Sequence, residues 1–147
     1  MRRPGIAMIG TVAARGAVFP WLFDANASHM FNPDWTPHAR LHDAIAVIGA
    51  TLTGGIAVAL LCQHAVRRRP DLLGLVTLLS ASPWLAILLA GLVPGTSYGN
   101  PALGTETFVV FGVRTAAPAV ASIVFCALAT VGLVLAIHRH VQLGAKP

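Results

Sequence analysis

The chain has 147 residues, of which 56% are hydrophobic and only 10% charged, and its mean hydropathy is +0.74. Soluble domains carry about 25% charged residues, so a water-facing shell cannot be assembled from this stock, and the composition points to one integral membrane domain over residues 1–147. The net charge of +5 does not call for nucleic acid, because the basic residues sort along the chain rather than gathering in one patch.

A helix needs roughly 20 residues to cross a ~30 Å hydrocarbon core. Apolar runs of that length predict four spans, over about 5–23, 37–66, 72–93 and 107–137. The expected fold is therefore all-α, a four-span transmembrane bundle. Arg2, Arg3, Arg67, Arg68, Arg69, Arg139 and Lys146 fall on one side of that arrangement, and Arg40 and Arg114 on the other. This is the positive-inside distribution, and it puts both termini in the cytoplasm. The expected location is a bacterial cytoplasmic (inner) membrane, with a multi-pass topology. A short cleaved signal over Met1–Ala14 is the rival, but its removal leaves too little of span 1 to cross. Cys62 and Cys126 both fall inside spans and read as ordinary buried thiols.

Span 1 carries Arg15 near its middle, where a charge costs about 2.5–3.5 kcal/mol on insertion scales. Such a residue snorkels, pairs, or faces a polar cavity. Span 2 offers small-xxx-small spacings, Gly55 to Ala59 among them, that let helix backbones approach closely. Pro70 and Asp71 suit the start of span 3. Pro83 and Pro118 are expected to kink spans 3 and 4 and to free the carbonyls near Leu79 and Arg114. Trp84, beside Pro83, needs an acceptor for its indole N–H.

Polar chemistry concentrates between the first two spans. The segment from Asp24 to Asp43 holds three of the six histidines and three of the five acidic residues. Asn32-Pro33-Asp34-Trp35 fits a type I turn, and Trp35 and Trp21 suit the aromatic belt at the outer interface. Thr36-Pro37 reads as an N-cap followed by proline at the first helical position. His38 and His42 then share one helix face at i and i+4. That spacing can place two imidazoles on one divalent metal ion, with His29 folding back as a third ligand. Asp24, Asp34 or Asp43 could complete such a site or orient a ring. Arg40 and Asp43, three apart, can also simply pair. Glu106 and Arg114 lie eight apart, on roughly one face of span 4, and can reach the segment from across the bundle.

The same segment resembles a motif, D-x-N-x-[ST]-H-x-F-N-P-x-W-x-P-H-A-[RK]-[FL]-H, of a family of small, functionally uncharacterised four-helix membrane proteins of bacteria and fungi. Asp24, Asn26, Ser28, His29, Phe31, Asn32, Pro33, Trp35, Pro37, His38, Ala39, Arg40 and His42 match it. Leu92-Val93-Pro94-Gly95-Thr96 with Asn100-Pro101 is similar to the family's second loop, and Thr36 stands where a second proline is usual. The resemblance implies the four-helix topology and supplies no reaction.

Two functions remain in contention. One is binding, at the exoplasmic ends of the helices, of a lipid-like or hydrophobic molecule or a partner helix, with membrane lipid and a second copy as further partners. Its expected ligand-binding residues are His29, Asn32, Trp35, Arg40 and Arg114. The other is an enzyme on a lipophilic substrate, drawing on His38, His42, Arg40, Asp43 and Glu106 as catalytic groups, or on metal held by His29, His38 and His42. Transport is weaker than either, because four short spans leave little room for alternating access.

Overall fold

The computed structural model describes residues 4–63, 66–99 and 107–144. Four helices make the bundle: α1 (Pro4–Phe23), α2 (Pro37–Cys62), α3 (Pro70–Ala90) and α4 (Ala117–Gly144). Each is long and apolar enough to cross a membrane. A 3-10 turn, Val66–Arg68, lies between α2 and α3, and Pro70 opens α3 as expected. α1 packs against the other three helices, and α3 against both α2 and α4.

Leu52, Ile56, Leu75, Leu78, Ile123 and Val134 point outward, while Ile9, Val12, Val47, Leu73 and Val76 are buried beside alanines and hydroxyl-bearing residues. Lipid tails are as apolar as leucine, so outward leucines and valines suit helices of membrane-spanning length, and such helices also associate through close backbone contact. At Gly54 the Ala13 carbonyl of α1 occupies the place of a side chain, and Gly5 of α1 and Gly132 of α4 meet in the same way. The close approach on α2 is thus made by Gly54. Gly55, one residue on, has open space in front of it and faces away. Buried Thr77 and Ser80 return their hydroxyls to the carbonyls of Leu73 and Val76, one turn back, at 2.7 and 2.8 Å.

Proline placement differs from expectation in one helix and agrees in another. Pro83 does lie inside α3, and the Leu79 carbonyl that it deprives of a donor accepts from Ser82 Oγ at 2.9 Å. Pro118, by contrast, is the second residue of α4. It kinks nothing there, because its missing N–H is one that a helix start leaves unbonded anyway. The ten residues 107–116, expected to extend span 4 outward, form a β-hairpin. β1 (Thr107–Val110) pairs antiparallel with β2 (Val113–Ala116) in the register Val110↔Val113 and Thr107↔Ala116. Threonine and valine favour strands, and Gly112 supplies a positive φ for the two-residue turn. Arg114 is therefore a strand residue and not a helical one. α1 also contains Pro20, three residues before its end.

Candidate functional site

The loop after α1 is framed by its own short polar side chains. Asn26 Nδ2 donates to the Phe23 carbonyl at 2.5 Å and closes the end of α1. Its Oδ1 accepts from the Ser28 amide at 2.7 Å and lies 2.6 Å from Ser28 Oγ. An amide oxygen has no proton to give, so the hydroxyl hydrogen of Ser28 sits on that contact. His29 Nδ1, 2.8 Å from the same Oγ, must then be the donor to it. A neutral His29 is thereby held as the Nδ1–H tautomer, with its lone pair on Nε2. The ring stands edge-on to Trp35, with centroids 6.1 Å apart.

Asn32 is buried, and its amide is used within the loop. Its Oδ1 accepts from the Asp34 amide at 2.9 Å, and its Nδ2 donates to the Ser28 carbonyl at 3.3 Å. This is an Asx turn ahead of Pro33, and it makes Asn32 a framework residue. Thr36 caps α2 as expected, accepting from the Ala39 amide at 3.2 Å. Arg40 does not pair with Asp43; its Nη2 donates to the Pro33 carbonyl at 3.2 Å and fastens the loop to the first turn of α2. Buried Arg40 Nε and Asp43 Oδ2 make no hydrogen bond.

His38 and His42 do meet. Their Nε2 atoms are 3.0 Å apart, with ring centroids at 4.5 Å and planes nearly perpendicular. One ring presents an N–H and the other a lone pair. A tetrahedral zinc at about 2.0–2.1 Å from two imidazoles holds their nitrogens roughly 3.3 Å apart, so the pair could chelate after a small opening. Both rings are exposed, however, and His29 is turned to Ser28 and Trp35. Among the described residues no three histidine, cysteine or acidic side chains are placed so that they could hold a metal ion. The expected three-histidine centre is not assembled.

What the structure adds is a cavity of about 270 Å³ between the C-terminal parts of α1 and α3 and the start of α4. Gly16, Phe19, Pro20 and Phe23 form one wall, Pro83, Trp84 and Ile87 the second, and Ala117, Pro118 and Ala121 the third. One proline from each helix lies on that lining: Pro20 and Pro83 interrupt the hydrogen-bond ladders of α1 and α3, and Pro118 belongs to the first turn of α4. The floor is aromatic. Trp84 lies 4.2 Å from Phe125 and 5.9 Å from Phe19, centroid to centroid, and its indole donates to the Val12 carbonyl at 3.4 Å.

Among the described residues Asp24 is the only ionisable one on the lining, and it joins the cavity to the polar loop. Burial pushes its carboxyl above the usual aspartate range; the nearby His29 opposes this and the charge of Asp43 adds to it. Asp24, His29 and Asp43 thus form one electrostatic group at the rim. Sequence reasoning noticed Asp24 but missed the cavity. The available signal is the recurrence of proline in three helices, Pro20 in α1, Pro83 in α3 and Pro118 at the start of α4.

The remaining candidates lie elsewhere. The guanidinium of Arg15 lies 5.2 Å from the centroid of Phe19, one turn further along α1, and 6.0 Å from that of Phe125, so aromatic faces meet its charge. Trp21 donates to Thr51 Oγ1 at 2.7 Å and binds α1 to α2. Arg114 donates across its hairpin to Thr107 Oγ1 at 3.3 Å. Glu106 lies outside the described residues. No family model, curated protein or solved structure matches the chain. The geometry therefore has to carry the functional argument by itself.

Proposed function

We propose that the protein is an integral membrane protein with both termini cytoplasmic, and that it binds a single apolar chain in the cavity at the outer ends of α1, α3 and α4. The cavity is the observation that carries this reading. Ligand pockets run about 300–1,000 Å³ and are lined mainly by apolar and aromatic groups with few polar ones. At about 270 Å³, with Asp24 as the one ionisable residue among the described lining, this cavity suits a slender lipid-like molecule whose polar end lies at the rim. Binding is placed ahead of catalysis for two reasons. Arg40, expected to steady developing charge, is tied to Pro33, and the exposed His38 and His42 are engaged with each other.

The test is extraction of the purified protein and mass spectrometry of what comes with it. The wild-type chain is expected to retain one apolar species through detergent exchange, and Ala121→Phe, which fills the cavity, to lose it. An identical extract from both proteins would remove the cavity from the account.

A further inference from the structure

The hairpin before α4 carries a second feature, independent of the cavity. Phe108, Val109, Val110 and Phe111 follow one another along β1 and into the turn, and all four are exposed; Phe111, at the tip, is fully so at 102% of its reference area. Alternation along a strand places Phe108 and Val110 on one face and Val109 on the other, so neither face of β1 is suited to water. Phe111 has φ 48° and Gly112 φ 81°, the pair of positive values that a type I′ turn requires. Asn or Gly meets that requirement with less strain than a bulky aromatic residue. The chain thus keeps a large apolar side chain at the most exposed point of the hairpin, in a backbone conformation that disfavours it.

The hairpin's surroundings indicate what covers it. Among the described elements, its stronger packing beyond its own two strands is between β2 and α4. Ala116 at the end of β2 is followed directly by Ala117 of α4, whose exposed Val120, Ile123 and Val124 continue the apolar surface. Polar groups gather at the hairpin base, where Arg114 reaches Thr107, and the tip has none. A two-stranded ribbon leaves edge N–H and C=O groups unpaired, which bars it from the hydrocarbon core but not from the hydrated interface. An exposed guanidinium beside apolar tips also complements anionic lipid phosphate.

We propose that the hairpin is a shallow wedge in the outer leaflet of the bilayer that the helices cross. Phe111, with Val110, enters the boundary between headgroups and acyl chains, and Arg114, paired with Val109 one step back from the tip, sits at the level of the phosphates.

Nitroxide labels test this in the full-length chain with Cys62→Ala and Cys126→Ala, reconstituted in vesicles of phosphatidylcholine and phosphatidylglycerol. A label at Phe111→Cys is compared with one at Ile123→Cys on the outward face of α4 and one at Asp34→Cys in the exposed first loop. Collision with oxygen, which partitions into lipid, is expected to exceed collision with a water-soluble nickel chelate several-fold at 111 relative to 34, approaching the ratio at 123. A ratio at 111 equal to that at 34 overturns the proposal, as does shielding from both reagents, which means protein cover. Should Phe111→Cys fail to assemble, Val110→Cys, the neighbouring position beside the turn, gives the same reading.

Discussion

Replacing Gly54 with alanine separates the helix-contact account from a mere excess of small residues. The new Cβ would lie 2.5 Å from the Ala13 carbonyl oxygen and 2.9 Å from both the amide and the Cβ of Ala17. Carbon–oxygen contacts between close helices settle at about 3.3–3.6 Å, so α1 and α2 must part by roughly 0.8 Å or more at this crossing. Thr51, one turn away on α2, has its hydroxyl 3.2 Å from the Ala17 carbonyl and holds Trp21, so the parting also loosens that link. Overpacking costs about 1–3 kcal/mol and a weakened hydrogen bond about 1, against about 1 gained because alanine is the better helix former. The net expectation is a loss of about 1–3 kcal/mol. Gly55→Ala meets nothing within 4 Å and keeps only the gain, up to about 1 kcal/mol. Reversible unfolding in mixed micelles, followed by tryptophan fluorescence, measures both. Equal stability of the two variants would refute the assignment of Gly54 as the contact.

Asp24→Asn tests the rim. The folded-state pKa of Asp24 lies above its ordinary value of 3.8, so the native state binds more protons and stability falls as pH rises through the window between the two values. The asparagine variant is expected to be the more stable at neutral pH and to lack that acidic slope; an unchanged stability–pH curve argues against a buried Asp24. Thr51→Val deprives the Trp21 indole of its acceptor, and a destabilisation of about 1 kcal/mol with altered Trp21 emission is expected. No change in either would place Trp21 in the lipid interface alone. His38 and His42 form a two-nitrogen pair, so zinc is expected to be lost on dialysis from wild type and from His38→Ala alike. Stoichiometric zinc that His38→Ala abolishes would point to a third ligand beyond the described residues.

The helices were legible because hydrocarbon thickness fixes their length and composition. The cap at Thr36-Pro37 and the His38–His42 contact follow from local rules of spacing, and both are present. Other features depended on tertiary placement. Gly54 and Gly55 are adjacent, and only the rotation of α2 against α1 decides which one meets Ala13. Residues 107–116 are apolar enough to pass as helix, but a Thr-Val-rich run around Phe111-Gly112, followed by Pro118, has the chemistry of a hairpin and a helix start. The histidines were read by proximity in sequence. His29 instead follows the hydrogen-bond chain of Asn26 and Ser28, which no metal-ligand spacing anticipates. The cavity is an absence between three helices, and no single segment encodes it.

Quenching of Trp84 by lipids brominated on their acyl chains is the most direct test of the central claim, that an apolar chain enters among α1, α3 and α4. Trp84 is only 5% exposed and lies on the cavity lining, so bulk bilayer lipid reaches it poorly. With Trp21 and Trp35 replaced by phenylalanine, its emission is expected to be strongly quenched, and Ala121→Phe to abolish most of that quenching. Emission that brominated lipid leaves untouched, or quenches equally in both proteins, would contradict the account.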